Sequence, residues 1–154
     1  MEGLDLLSFI EQAPVAVAMF DREMRYMMAS ERWLSERNLD RSIIGRTAYE
    51  VYPDVDAMFR KLHLRALSGE TILRDEDCFD VAHGSVQWVR SEMRPWYDHD
   101  SKIGGIVIFA EDITARKKAE HALRKSEERY RYAMEAAQDG IWDWDLKANS
   151  VVFS

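Results

Sequence analysis

The 154-residue sequence has one cysteine, three prolines and no long apolar run. The lone Cys78 can neither close an internal disulfide nor build a cysteine-based metal site, so we expect a reducing, cytoplasmic compartment. No stretch approaches the roughly 18 consecutive apolar residues of a membrane-spanning helix. We therefore predict no membrane contact from this segment, although a longer parent protein could be anchored elsewhere. The opening MEGLDLL lacks the basic region of a signal peptide.

Motifs of the common enzyme classes are absent as well. The sequence contains no HExxH zinc motif, GxSxG nucleophile elbow, phosphate-binding P-loop or glycine-rich dinucleotide loop. The acidic clusters at 75–77 and 98–100 lie where solvated strand and turn residues are expected, so no metal site is predicted. His121 is followed by Ala122, whereas a histidine-kinase phosphoacceptor would be followed by an acidic residue. We predict no catalytic residue and no enzymatic activity in this chain.

Basic charge is also scarce. The chain carries 21 basic and 28 acidic side chains, which gives a formal net charge of −7. Phosphate backbones repel an acidic body, and the mildly basic stretch 111–131 mixes both signs, as a solvated helix face does. We therefore predict no nucleic-acid partner. The hydrophobic fraction of 47% is sufficient for one buried core.

The hydrophobic pattern predicts an α+β domain. A short amphipathic helix precedes two strands, several short helical segments lead into a longer helix, and three strands follow. Short polar turns join the last three strands, which implies antiparallel pairing. The main predicted elements are the helix 3–12, the strands 15–21 and 25–30, the helix 54–68, and the strands 71–81, 85–98 and 102–114.

A charged segment free of glycine and proline follows Thr114. It has a seam of residues spaced alternately by four and three, which favours a coiled-coil linker over a helix packed on its own domain. These are Ala119, Leu123, Ser126, Tyr130, Ala133 and Ala137. Further on, WDLKANSVVFS (144–154) repeats the pattern of FDREMRYMMAS (20–30) at an offset of 124 residues. We therefore expect a second copy of the domain to begin here, within a longer protein.

Several motifs resemble those of a PAS domain. They are the VAVAMFD opening, the GxxxxEVYP segment, the close at Asp112-Ile113-Thr114, and the following AExALRxSEERYRxAMEAAxDGIWDWD. The resemblance covers essentially the whole chain. It implies a five-stranded antiparallel sheet in the order 2-1-5-4-3, with helices on one face and a ligand pocket between them. Tandem domains of this kind are typical of bacterial sensor histidine kinases of two-component systems and of cyclic-di-GMP synthases and hydrolases.

The resemblance divides the chain into four segments. They are an N-terminal amphipathic helix (1–13), a PAS domain (14–114), a signalling linker helix (115–137) and the truncated start of a second PAS domain (138–154). The implied function is a sensory module of a signal-transduction protein. It would bind a small ligand or cofactor and relay the change through the C-terminal helix to a downstream output domain. The alternative is a ligand-free module that acts in dimerisation and signal relay.

Strand alternation predicts which side chains face the pocket. The smaller, uncharged parity of the last two strands should face the helices, together with one face of the long helix. Because Ser91 carries the only hydroxyl of this set, the sequence predicts a small apolar ligand or a filled core. The candidate pocket residues are Phe59, Leu62, His63, Val89, Ser91, Met93, Ile106, Ile108 and Ala110.

The opposite parity leaves an apolar stripe on the outer face of the sheet, formed by Trp88, Val107 and Phe109. Such a stripe needs a cover, and the N-terminal helix can supply one. Covering a partner's sheet would produce a homodimer, which we predict, and covering its own sheet is the alternative. The helix residues that would form this dimer or cap surface are Leu4, Leu7 and Ile10.

No cofactor is favoured, and two alternatives stay open. In haem-binding PAS sensors a histidine on the corresponding helix ligates iron, so haem bound through His63 is one alternative to a histidine satisfied by hydrogen bonds. The flavin-cysteinyl class needs a GxNCRFLQ motif, which is absent, and a non-covalent flavin is the other alternative. At the end of the last strand, Asp112, Ile113 and Thr114 are predicted to form the signal junction, with Thr114 as the helix N-cap.

Overall fold

The computed structural model of the chain describes residues 8–81 and 85–153, and the side chains of residues 8–79 and 85–140. The chain divides into two compact units, Met1–Ile113 and Thr114–Ser154. The first contains the sheet and the cavity described below, and the second is a single helix.

One antiparallel sheet organises the first unit. Its strand order is β2-β1-β5-β4-β3, which confirms the predicted fold and the predicted order. Strand β1 pairs with β2 on one side and with β5 on the other, and its chain is buried from Ala16 to Ala18. The five strands are β1 (Ala16–Asp21), β2 (Tyr26–Ala29), β3 (Ile72–Val81), β4 (Ser85–Tyr97) and β5 (Ile103–Asp112).

Short capped helices fill the connection between β2 and β3. They are α1 (Glu31–Glu36), a 3-10 turn (Arg41–Ile43), α2 (Ala48–Val51) and α3 (Ala57–Leu67). Each begins after a Ser, Asp or Thr whose side chain accepts a backbone N–H of the first turn, which satisfies a donor that the helix leaves unpaired. The caps are Ser30, Asp40, Thr47 and Asp56.

Hydrogen bonds of Ser30 also connect α1 to strand β1. Its fully buried hydroxyl oxygen accepts the N–H of Trp33 at 3.1 Å and that of Val17 at 3.1 Å, and the hydroxyl donates to the carbonyl of Val15 at 2.8 Å. These bonds fix where α1 starts relative to β1. They therefore fix where the next turn of α1 points its side chains.

An aromatic cluster lies on the inner sheet face, toward the edge formed by β2. The Phe20 and Tyr26 ring centroids are 4.5 Å apart, and each lies 6.3 Å from the Trp33 ring. Offset and edge-on arrangements at these distances add to the burial of apolar area. The cluster joins β1, β2 and α1, and it forms one wall of the cavity.

The predicted N-terminal helix meets the described chain only at its end. Residues 8–11 are helical, and Ile10 is half-buried there. Leu4 and Leu7 lie outside the described residues, so the covering role predicted for this helix stays a prediction.

The second unit is α4 (Thr114–Phe153), a helix of 40 residues. It contains the whole predicted linker 115–137, and it continues through residues where the sequence predicts two strands of a second domain. Two strands without the rest of a sheet are at best marginally stable. The assignment of 138–154 to a second domain therefore stays a prediction. Thr114 is already the first helical residue, so its predicted place before the helix is wrong by one position.

Candidate functional site

A cavity of about 870 Å³ lies between the inner face of the sheet and helices α1 to α3, and it opens to solvent. Its lining draws on all five strands and on each of these helices. Volumes of this size are typical of small-molecule sites in proteins. The cavity is the candidate functional site.

Most of the sequence-predicted pocket residues meet at this cavity. Leu62 and Ile106 do not line it, because both are buried in the core that packs behind the cavity wall. Whether any of the others contacts a ligand stays a prediction. The seven predicted residues that do line the cavity are Phe59, His63, Val89, Ser91, Met93, Ile108 and Ala110.

The polar end of the cavity was missed from the sequence. Tyr26, Trp33, Arg37 and Tyr52 all line the cavity. These four residues were not among the predicted pocket residues, of which Ser91 carries the only hydroxyl. Strand alternation says nothing about what the helices contribute. The available signal was the spacing of Trp33 and Arg37, since side chains four residues apart in a helical segment lie on one face.

Arg37 is stacked on Trp33. Its guanidinium carbon Cζ lies 3.7 Å from the centroid of the indole ring, and its Nη1 approaches the Trp33 carbonyl at 3.5 Å. Burial lowers the pKa of Arg37, and this effect exceeds the opposing influence of Tyr52, Tyr26, Glu36 and Asp112. The guanidinium remains protonated at neutral pH, so a partly desolvated positive charge lines the cavity.

Two further polar groups accompany this charge. The Nε1–H of Trp33 is buried and makes no aligned hydrogen bond within the described part of the chain. The side chain of Trp33 interacts with the phenol of Tyr26 and lowers its pKa, but burial outweighs this interaction and raises the pKa of Tyr26 to about 12. The Tyr26 phenol is therefore neutral at physiological pH. The indole N–H of Trp33 is a buried donor without an aligned acceptor in the described part of the chain.

His63 is the buried titratable group on the α3 side of the cavity. Its Nδ1 lies 2.9 Å from the Tyr49 hydroxyl, and the imidazole is 7% exposed. Burial, with a smaller contribution from Arg60, lowers the pKa of His63 to about 4, so the ring is neutral at pH 7. The hydrogen bond matches the satisfied histidine of the sequence analysis, and haem ligation by His63 stays an untested alternative. Among the described residues, no three His, Cys, Asp or Glu side chains form a metal-binding cluster.

The predicted junction residues are anchored to β4. Asp112 Oδ2 accepts a hydrogen bond from Gln87 Nε2 at 3.1 Å, and the N–H of Ile113 donates to the Trp88 carbonyl at 2.8 Å. Ile113 is buried, and Asp112 also lines the cavity. The end of β5 thus connects the cavity lining to the residue before α4.

The predicted outer-face stripe is only partly exposed. Trp88 and Val107 are half-buried, and Phe109 is 38% exposed. A single chain does not test the homodimer predicted from these residues, which stays a prediction. None of the helices in the described part of the chain combines the length and apolarity needed to cross a bilayer.

Comparison with known proteins identifies the fold. A family model described as the PAS fold matches residues 10–118. None of the curated proteins compared with the chain matches it. The PAS domain of BvgS from Bordetella pertussis superposes with a TM-score of 0.63 at 21% identity, covering 83% of this chain and 98% of that one. A sensory box sensor histidine kinase from Vibrio cholerae gives 0.53 at 15% identity, covering 73% and 93%.

A third similar structure is VqmA from Vibrio cholerae, solved as a complex with ligand and DNA. Its TM-score is 0.59 at 22% identity, over 72% of this chain and 51% of the VqmA chain. This chain therefore spans about half the length of VqmA. At these identities the likeness shows the fold alone.

The VqmA complex corrects one prediction. Net charge was taken to exclude a nucleic-acid partner, yet a protein with this fold has been solved bound to DNA. Nearly half of the VqmA chain lies outside the matched part, and charge acts locally on the surface that carries it. The net charge of −7 on this chain therefore does not decide whether a protein containing it binds nucleic acid.

The matched residues 10–118 include the whole sheet, the three short helices and the cavity, and they make up more than half of the chain. The strand order agrees with the order that the sequence resemblance implied. The chain therefore belongs to the PAS fold family.

Proposed function

We propose that this PAS domain is the sensory module of a signal-transduction protein, that it binds a small molecule in the cavity, and that it relays occupancy through β5 into α4. The observation that carries the proposal is the cavity of about 870 Å³, which combines an apolar wall with a few buried polar groups. That combination is characteristic of sites that bind and orient small molecules. VqmA, which shares the fold, was solved with a ligand.

The relay follows from the path of β5. Ile108, Ala110 and Asp112 alternate along this strand and all line the cavity. Asp112 is held by Gln87, and Ile113 is held by the Trp88 carbonyl. Only Ile113 separates the end of β5 from the first residue of α4. A ligand that favours one arrangement of Asp112 would therefore bias the junction.

The proposed relay ends at an output domain of a parent protein. The sequence resemblance favours a histidine kinase or a cyclic-di-GMP enzyme as the parent protein. In that protein, Asp112→Ala would remove the side-chain bond to Gln87 and weaken the attachment of the strand end to β4. We expect the response of the output activity to its signal to be reduced. An unchanged basal activity and an unchanged response would contradict the relay.

Ligand binding is tested by filling the cavity. Ser91 lines it from β4, and its neighbour Arg90 is exposed and does not line it. We expect a deproteinised cell extract to raise the melting temperature of the wild type and of Arg90→Trp, because a ligand stabilises the state that binds it. Ser91→Trp should lose this increase while keeping a folded circular dichroism spectrum. An increase of equal size in all three proteins, or in none, would contradict the proposal and favour the ligand-free relay module.

A further inference from the structure

We propose that the cavity recognises its ligand through a carboxylate, which Arg37 and the indole N–H of Trp33 hold together. This inference rests on the proposed function of the cavity as a ligand site. It commits to a chemical class, namely a small carboxylic acid with an apolar body, in place of the apolar ligand expected from the sequence.

The first argument is that the cavity has one cation. Arg37 is the only arginine or lysine among the described residues that line it. Its guanidinium carbon lies over the Trp33 ring at 3.7 Å, and in the described part of the chain only Nη1 of the guanidinium makes a hydrogen bond, to the Trp33 carbonyl at 3.5 Å. A guanidinium presents paired N–H groups that match the two oxygens of a carboxylate. The contact with Trp33 orients the guanidinium N–H groups of Arg37 before a ligand binds.

The second argument is that this cation is incompletely compensated. In the part of the chain that the structure describes, no carboxylate forms an ion pair with Arg37, and Glu36 and Asp112 act on it only from a longer range. Burial lowers the pKa of Arg37 in spite of these two acids. A desolvated charge of this kind is stabilised when a counter-charge is brought to it.

The acidic side chains that line the cavity interact with groups other than Arg37 or are exposed to solvent. Glu36 pairs with Arg32 at 2.9 Å, and Asp77 pairs with Arg74 at 2.5 Å. Asp56 caps α3 by accepting the Met58 N–H, and Asp112 accepts from Gln87. Asp54 is exposed to solvent. These carboxylates are therefore satisfied by groups other than Arg37, by neighbouring residues or by water.

The third argument comes from Trp33 itself. Its side chain is 5% exposed, its Nε1–H has no aligned acceptor among the described residues, and it lines the cavity. An indole N–H can only donate, so the ligand group that meets it must be an acceptor. Trp33 thus contacts the guanidinium of Arg37 through its ring face and also offers a buried N–H without an aligned acceptor. A carboxylate satisfies both, whereas an ammonium satisfies neither.

The rest of the cavity specifies the body of the ligand. Phe20, Met24, Met93 and Ile108 line it with aromatic and flexible aliphatic groups. Such a surface binds an aryl or branched alkyl group by burial of apolar area. We therefore expect an arylalkanoic or branched-chain acid rather than a polycarboxylate.

The test compares acids with their amides by NMR on the ¹⁵N-labelled chain. The indole signal of Trp33 is assigned as the one lost in Trp33→Phe. Titration with phenylacetate should shift that signal, and phenylacetate should bind roughly tenfold or more tightly than phenylacetamide. Arg37→Met should abolish this preference, and Arg37→Lys, which keeps the charge without the fork, should retain part of it. Arg60→Met is the matched control, since Arg60 also stacks on an aromatic ring, at 4.3 Å over Tyr49, but does not line the cavity.

Two results would overturn the inference, and they are distinct from failure of the proposed function. Equal binding of acid and amide in the wild type and in Arg37→Met would show a ligand site without carboxylate recognition. Absence of any Trp33 shift across acetate, 3-methylbutyrate and phenylacetate would also contradict it. The proposed function itself is judged by the cavity-filling comparison of Ser91→Trp with Arg90→Trp, which requires no knowledge of the ligand.

Discussion

The guanidinium of Arg37 lies 3.7 Å above the ring of Trp33, and the indole N–H of that ring is buried without an aligned partner. A buried donor without an acceptor is destabilising in a folded protein, and the destabilisation is relieved when a ligand supplies the acceptor. Under the proposed carboxylate recognition, we therefore expect the free energy of unfolding to increase when a ligand occupies the cavity.

Replacing Trp33 with Phe tests this directly in the free protein. The substitution keeps an aromatic ring in the cluster with Phe20 and Tyr26 but removes the unsatisfied N–H. We expect the free energy of unfolding to change by less than about 1 kcal/mol, because the lost packing is offset by the removal of a desolvated donor. Trp33→Ala should cost about 3–5 kcal/mol, as large-to-small changes in a core do. Urea denaturation measures both, and a loss of more than about 2 kcal/mol in Trp33→Phe would show that the N–H is satisfied.

His63 should make stability depend on pH. Its pKa is lowered from 6.5 in the unfolded chain to about 4 in the fold, chiefly by burial. Between these two values the unfolded chain binds more protons than the folded one. The contribution is therefore complete above pH 6.5, falls as the pH decreases toward 4, and amounts to at most about 3 kcal/mol.

The variant His63→Gln should flatten this part of the stability profile. His99→Gln is the control, because His99 is exposed in the turn between β4 and β5. Denaturant midpoints measured from pH 7 to pH 4 should fall less steeply in His63→Gln than in the wild type. Parallel slopes in all three proteins would mean that His63 titrates in the fold as it does in the unfolded chain.

Ser30 should be worth more than an ordinary helix cap. Its hydroxyl makes three hydrogen bonds at a fully buried position, and Ser30→Ala would leave the N–H of Val17 without this partner as well as that of Trp33. We expect a loss of about 2–3 kcal/mol. Thr47→Ala, which removes the cap of α2 at a half-buried position, should cost about 1 kcal/mol. Equal losses in the two variants would show that the additional bonds of Ser30 add no stability.

Gly105 should not tolerate a side chain. A Cβ at this position would lie 1.8 Å from the carbonyl oxygen of Phe20 and 2.7 Å from Nε1 of Trp96, which itself donates to that carbonyl at 2.7 Å. Because the obstacle is the backbone of β1, Gly105→Ala must disturb the pairing of β1 with β5. We expect a loss of about 3 kcal/mol or more by thermal denaturation. Gly140→Ala, where a Cβ meets nothing within 4 Å, should leave stability unchanged or slightly raised.

The sheet could be predicted from the sequence because its signals are local. Alternation in β4 and β5 separates Val89, Ser91 and Met93 from the outer face, and polar turns set the strand ends. The Asp and Ser caps similarly mark where α1 and α3 begin. These patterns were sufficient for the strand order once the resemblance to a known family was added.

The polar end of the cavity could not be predicted in the same way. Which helical side chains reach the inner face depends on where α1 starts and how it crosses the sheet, and both are tertiary properties that Ser30 helps to set. Arg37, just beyond the end of α1, was therefore not among the predicted pocket residues. The repeat of 20–30 at 144–154 predicts strands where the structure has a helix, and strands need partners to form, so the assignment of 138–154 to a second domain stays a prediction. The net charge also did not justify the prediction that the chain has no nucleic-acid partner. It sums over the whole chain, whereas binding depends on the charge of the one surface that contacts the nucleic acid.

The most direct test of the central claim is native mass spectrometry of the freshly purified chain. If the cavity binds a small molecule, the spectrum should contain the polypeptide and a non-covalent complex heavier by the mass of one compound. That complex should persist in Arg90→Trp and disappear in Ser91→Trp. A spectrum with the bare polypeptide mass in every preparation, or a complex that survives equally in Ser91→Trp, would contradict the assignment of the cavity as a ligand site.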